Sequence, residues 1–290
     1  EIKNLKIETY NGRQWLKNLM DAYKSPYQFI SKKYKKKYKI NLIILNDKKK
    51  ECSIEGRIRL NGDRRDHINI RDNTLVSSLD VKLKDNINTF TDFKLLLPHT
   101  RKGDNEIFIS TILNNLNLLT PKIYFTELEM FQQKNKYLFY ENLNKEFLER
   151  NKKVEGPIIR GDERFFFNDE KKNFIFARLE NSNWIKNNKK NQIERSVEAL
   201  TLANKLFIST IKTENMALDA HLKFNYDDIK EYINYENIIK FRLLINAFGA
   251  SNSLSINDLR MYYDPVFKKF DLIFNDGSTT FLQIPEKINY

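Results

Sequence analysis

The chain holds a single cysteine, Cys52, so it can form no internal disulfide and no cysteine-built metal cluster. Cys52 reads as a small core filler. The three histidines, His67, His99 and His221, lie far apart with no i, i+4 spacing, which argues against zinc chemistry. Glycine and proline are scarce, eight and six among 290 residues, and this excludes fibrous, collagen-like and low-complexity classes. No apolar run reaches the roughly eighteen residues that a membrane-spanning helix needs. No internal repeat of solenoid length occurs. The chain begins at Glu1 and not at Met, which leaves open a targeting segment before this point.

What is present is apolar enough to fold. Hydrophobic residues make up 41% and aromatics 13%, a composition that supports a large core in one domain or two lobes. Fifty Lys and Arg stand against 38 Asp and Glu, a formal net charge of +12. Such an excess suits a phosphate-rich partner, either nucleic acid or an anionic membrane surface. The simpler reading is solvated lysine in a sequence crowded with Lys, Asn and Ile. The lysine run KKYKKKYK, from Lys32 to Lys39, has the same two readings: a phosphate-contacting strip, or a solvated strand or linker, the latter favoured. No nucleic-acid motif accompanies the charge.

Periodicity places the elements. Gln14 to Tyr27 sets Trp15, Leu16, Leu19, Met20 and Tyr23 at helical spacing. Ile40 to Ile44 reads as a buried strand, and Cys52 to Asp63 as a half-buried one ending in an Asn-Gly-Asp turn. In SSLDVKLK, Ser77 to Lys84, the side chains of Leu79, Val81 and Leu83 share one face, and Asp80, Lys82 and Lys84 the other. Phe93 to Leu97 is a short strand closed by Pro98. Asp104 suits a helix N-cap, with the helix running to about Leu118. Strands IYFTELEMF and KYLFYENL follow across a polar turn at Gln132 to Asn135. Helical periodicity returns at Ile193 to Ile211 and Tyr232 to Phe248, and the strands LRMYYD and KKFDLIF form a late hairpin turning at Asp264 to Lys268.

Several stretches carry a resemblance to a known family. They are RIRLNGDRRDHI (Arg57 to Ile68), SSLDVKLKD (Ser77 to Asp85) and FKLLLPHTRKGDNE (Phe93 to Glu106). NKEFLERNKKVEGPIIRGDE (Asn144 to Glu163) and NDLRMYYDPVFKKFDLIFNDG (Asn257 to Gly277) continue the series in the same order. Together they resemble the CotH-type (spore coat protein H) kinase-like family, in its bacterial branch, as a divergent member. The resemblance implies an α+β, protein-kinase-like two-lobe fold. Residues 1–144 would form a β-rich N-terminal lobe, and 145–290 a mainly helical C-terminal lobe with the late β-hairpin. Relatives commonly continue past the point where this chain ends, at Tyr290.

The same resemblance assigns roles. Lys82 would hold nucleotide phosphates and Glu106 would orient it, with Lys84 and Lys94 as rival partners. Glu141 would meet the nucleotide at the hinge. Asp276, in the Asp-Gly pair, would bind metal, with Asp258 or Asn257 at a second metal position. In the catalytic loop GASNSLSIND there is no Asp, Glu or His from Gly249 to Asn257, and Ser253 and Ser255 stand where acid–base groups are expected. A serine hydroxyl is a poor proton acceptor near neutral pH. The function implied is an ATP- and Mg-dependent phosphotransferase acting on a protein or glycan. The alternatives are a pseudoenzyme or binding module, or an enzyme using ATP for adenylyl transfer or amino-acid ligation. Location stays open between the bacterial cytoplasm and the cell envelope.

Overall fold

The computed structural model describes residues 1–45, 51–87, 89–161, 176–185, 190–211, 230–255 and 258–281. His221 and Asn257 lie outside the described residues. The chain divides into two compact units, Glu1–Gly103 with Lys122–Asn142, and Asp104–Pro121 with Leu143–Tyr290.

The first unit is a barrel. Strands β1 (Asn4–Thr9), β2 (Tyr38–Leu45), β3 (Glu51–Leu60), β6 (Leu79–Ile87), β7 (Phe90–Leu96), β8 (Ile123–Met130) and β9 (Gln133–Glu141) close in the order β1-β2-β3-β6-β7-β9-β8. A separate hairpin of β4 (Ile68–Arg71) and β5 (Thr74–Ser77) interrupts the sequence between β3 and β6. All barrel neighbours are antiparallel except the closing pair. There β1 runs parallel to β8, with Asn4 opposite Glu127 and Ile7 opposite Met130. Closure removes the unpaired strand edges that an open sheet would expose.

Period-two alternation explains what fills it. Leu5 and Ile7 of β1, Ile40 and Leu42 of β2, Ile58 and Leu60 of β3, and Leu79 and Val81 of β6 are buried in one core. Phe139 stacks between neighbours there, its ring centroid 4.7 Å from Phe93 and 4.6 Å from Tyr124. Helix α1 (Gly12–Tyr23) adds Trp15, Leu19 and Ala22 to the core, while Leu16 and Met20, which share the helical spacing, stay exposed. Trp15 meets Tyr38 edge to face at 5.3 Å. Cys52 is exposed on β3, contrary to its reading as core filler. The β8–β9 turn is tighter than the polar run suggests. Met130 pairs with Gln133, so only Phe131 and Gln132 turn, at φ 53° and 64°. Both positive values fit the two-residue turn whose twist matches a hairpin, though without the glycine such turns prefer.

The second unit carries a four-stranded sheet, β11 (Ala177–Leu179), β10 (Ile158–Gly161), β12 (Arg260–Asp264) and β13 (Lys269–Ile273), in that spatial order. Its helices are α2 (Gly103–Asn115), α3 (Lys145–Arg150), α4 (Lys190–Ile211) and α5 (Tyr235–Ala247). Asn144 caps α3 by accepting from the Phe147 N–H at 3.1 Å. Phe147, Leu148, Ile158, Tyr262 and Ile273 pack as one buried cluster. Asn181 joins the loop to the sheet, accepting from Ile158 N at 2.8 Å and donating to Gly156 O at 2.9 Å.

This architecture overturns the protein-kinase-like two-lobe expectation. The β-rich part is a closed seven-stranded barrel, and the described residues contain five α-helices rather than a helical C-terminal lobe. The physical reasons are local. Alternating strands look the same in an open sheet and in a barrel, and the pairing that distinguishes them joins β1 to β8, remote in sequence. Beyond residue 145, the late hairpin does not stand alone. Ile158, Ile159 and Arg160 pair with it and extend it into a sheet.

Two outcomes follow. Phe139→Ala leaves a ring-sized cavity in the barrel and should cost about 3–5 kcal/mol in denaturant unfolding. His67 is buried at the β4 entry, and burial, aided by the Arg101 charge, pushes its imidazole down to about 4. The unfolded value is about 6.5, so between the two the unfolded chain binds a proton that the folded chain refuses. Stability should therefore fall as pH drops from about 6.5 towards 4, and His67→Gln should remove that part of the slope.

Candidate functional site

Lys82 belongs to the first unit and Glu106 to the second. On the barrel, register sets the neighbours of Lys82. Lys39 of β2 stands opposite Arg57 of β3, and Arg57 stands opposite Lys82 of β6. All three side chains are exposed, because their strand neighbours Ile40, Ile58 and Val81 fill the core. Adjacent strands are about 4.8 Å apart, so the three cations form a row about 10 Å long. Like charges directly opposite on a sheet are unfavourable. Among the described residues, none of the three side chains makes a hydrogen bond or salt bridge. On β7, Asp92 stands opposite Lys82 and bounds the row.

The row lies in a cleft of about 520 Å³ that also takes in Tyr10, Asn11, Glu55 and Lys84. Glu55 and Lys84 form an ion pair with each other. The hydrogen bond and charge of the Lys84 ammonium, with a smaller contribution from Lys39, hold the Glu55 carboxyl below its ordinary range. That pair cancels itself and leaves Lys39, Arg57 and Lys82 in excess. Tyr10 follows β1 and is 63% exposed. Asn11 begins α1 and forms no side-chain cap bond.

Glu141, expected to meet a nucleotide, is buried at the end of β9, and its carboxylate accepts from the Lys122 backbone N–H at 2.7 Å. It ties the two ends of the β8–β9 hairpin.

In the second unit, Glu106 is wholly buried in the first turn of α2. Its carboxylate accepts from Gly277 N at 3.2 Å and from Thr279 Oγ1 at 3.5 Å. Asn105 Nδ2 donates to Thr279 O at 3.0 Å, and Thr280 N donates to Gly249 O at 3.1 Å. The loop after β13 is thus clasped onto α2 and the end of α5. Asp276 sits in this loop at φ 49°, left-handed for a residue with a side chain. Its carbonyl accepts from Asn252 Nδ2 at 2.8 Å, and Asn275 Nδ2 reaches Asp258 O at 3.4 Å. These bonds bring the Asp-Gly loop beside the turn that holds Ser253, Ser255 and Asp258.

The serines are committed locally. Ser253 Oγ donates to Ala250 O at 3.0 Å, and Ser255 Oγ lies 2.6 Å from Asn252 O and 3.4 Å from Asp258 Oδ2. Each hydroxyl has one proton, and the shorter contact places that of Ser255 on the backbone. Both therefore close the turn Ser251–Leu254. Magnesium takes one or two carboxylates together with phosphate oxygens and water, and Asp258 and Asp276 are the carboxylates carried by these two adjoining loops. Among the described residues, no group of three or more His, Cys, Asp and Glu side chains is placed to hold a metal ion.

Arg57 and Tyr10 carry no assigned role in the sequence analysis, and Lys39 enters there only as the last residue of the lysine run, for which the solvated reading is favoured. The outward position of Arg57 follows from alternation, but its alignment with Lys39 and Lys82 needs the register. No protein-family model matches the chain, and no curated protein matches it.

The clasp has a measurable strength. A Cβ at Gly277 would come within 2.8 Å of the Phe274 ring and 2.9 Å of Thr279 Oγ1. Gly277→Ala should destabilise the chain by about 1–3 kcal/mol in thermal unfolding, and Glu106→Ala by a similar amount, because it leaves the Gly277 N–H buried and unsatisfied.

Proposed function

We propose that this protein is a binding module for a phosphate-bearing ligand of nucleotide type, taken up in the barrel cleft. The observation that carries the reading is the Lys39–Arg57–Lys82 row, three aligned cations without a salt bridge among the described residues, in a concave surface. Phosphate oxygens would meet the row, with Arg57 offering a planar fork of donors and the lysines acting as point charges. The exposed Tyr10 ring supplies an apolar face in the same cleft for a base or sugar.

A second reading, an ATP- and Mg-dependent phosphotransferase acting on a protein or glycan, is favoured by the bonds that hold the Asp276 loop beside the turn containing Asp258. Phosphoryl transfer rests mostly on positioning and charge stabilisation, so the committed serines do not by themselves exclude turnover. Adenylyl transfer and amino-acid ligation would draw on the same two carboxylates.

One titration separates the readings. ATP is titrated calorimetrically into the wild type, Arg57→Ala and Asp276→Ala, with and without magnesium. The binding-module reading expects metal-independent binding that Arg57→Ala weakens by about 10- to 100-fold, the loss of one charged hydrogen bond worth about 1.5–3 kcal/mol. Binding that needs magnesium and disappears in Asp276→Ala would transfer the conclusion to the second reading. Binding indifferent to Arg57→Ala would remove the cleft from consideration.

A further inference from the structure

Positive charge is unevenly distributed along the chain. Residues 1–45 contain ten lysines and one arginine against three acids, a surplus of eight, while the whole chain has a surplus of twelve. The described structure gathers part of this surplus into a second hollow of the first unit. That hollow, of about 430 Å³, is lined by Lys24, Lys33, Lys36 and Tyr34, with Asp21 as its only acid among the described residues. Lys24 caps the C-terminal end of α1. Tyr10 and Asn11, which line the first cleft, precede its N-terminal end. Twelve residues of helix separate the two places, a length of about 18 Å.

Exposed rings accompany both ends. Tyr10 is 63% exposed beside the first cleft, and Tyr27 and Phe29 are 71% and 43% exposed in the segment between α1 and the Lys32–Tyr34 turn. Lys33 Nζ lies 4.8 Å from the centre of the Tyr34 ring. Paired acids do not erase the charge. Lys35 is bonded to Asp63 at 2.5 Å, but no salt bridge among the described residues holds Lys24, Lys33 or Lys36.

We propose that the first unit binds single-stranded nucleic acid along α1, with the Lys39–Arg57–Lys82 row gripping phosphates at one end and the Lys24–Lys33–Lys36 hollow gripping them at the other. This rests on the phosphate-binding reading of the row and gives its ligand a class. A single small nucleotide fills one hollow and leaves the other cationic. A flexible polyanion satisfies both, and its bases can lie on Tyr10 and Tyr27, since stacking on aromatic rings is indifferent to sequence. An anionic bilayer is the less suited partner. Its flat surface reaches protruding groups, whereas the Lys39–Arg57–Lys82 row lies within a cleft.

The test is fluorescence anisotropy with labelled oligothymidylates of about 4, 8 and 16 nucleotides, at about 50 and 200 mM salt. Three proteins are compared: the wild type, a row variant (Lys39→Glu, Arg57→Glu, Lys82→Glu) and a hollow variant (Lys24→Glu, Lys33→Glu, Lys36→Glu). All six positions carry solvent-facing side chains, and circular dichroism checks that the variants fold. The expected result is affinity that climbs with length, falls at the higher salt, and drops at least about tenfold for the 16-mer in either variant. ATP binding should survive in the hollow variant and be lost in the row variant. A 16-mer bound no more tightly than the 4-mer, or unaffected by the hollow variant, overturns the proposal while ATP binding keeps the row reading alive. Loss of ATP binding together with all oligonucleotide binding in the wild type removes both. Tighter capture by phosphatidylserine vesicles than by the 16-mer, abolished in the hollow variant, would overturn it in favour of a membrane surface.

Discussion

The parallel pairing of β1 with β8 is the constraint on which the first unit depends. Without it the seven strands would end in two open edges, and β1 would have no second neighbour. With it, every strand has one face turned to a common core, and the alternation of side chains is forced to put its polar members outside. The cationic row is a by-product of that closure. Ile40, Ile58 and Val81 must point inward, so Lys39, Arg57 and Lys82 must point outward and side by side. Closure also fixes the exit of the chain from Thr9, and with it the placement of Tyr10 and α1 against the cleft.

The second unit relies on a different device. Glu106 is a buried carboxylate whose acceptors are met by a backbone N–H and a hydroxyl from one loop. Hydrogen bonds to a charged group are stronger than neutral ones, and their loss in a buried setting leaves donors without water. Glu106, which the family resemblance pairs with a strand lysine, makes these two bonds within the second unit. Ser255 is likewise bonded locally, its proton committed to a turn carbonyl.

Local signals in the sequence were readable, and remote ones were not. Alternation at Leu79, Val81 and Leu83 placed Lys82 on an outer face, and the spacing of Val197, Leu200 and Ala203 marked the long helix Lys190–Ile211. The late hairpin was legible from its two apolar runs about Asp264. Fold class was not, because barrel and open lobe share the same strand pattern, and the resemblance in motifs carried a two-lobe plan that the strand pairings overturn. The β8–β9 turn escaped because Phe131 and Gln132 adopt positive φ without the residues that usually announce it. Cys52 escaped because one small residue on an alternating strand can face either way, and the charges around it do not decide which.

Sequence separation in the Glu106 clasp bears on the order in which the protein is made. Glu106 and Gly277 are 171 residues apart, whereas the first unit is complete by Asn142. On a ribosome adding about 5–20 residues per second, roughly 7–30 s pass between emergence of the last barrel strand and arrival of the loop that Glu106 holds. The barrel can close during that interval. The Glu106 carboxylate must wait in water, so the second unit finishes last and its nascent form is the one a chaperone would meet.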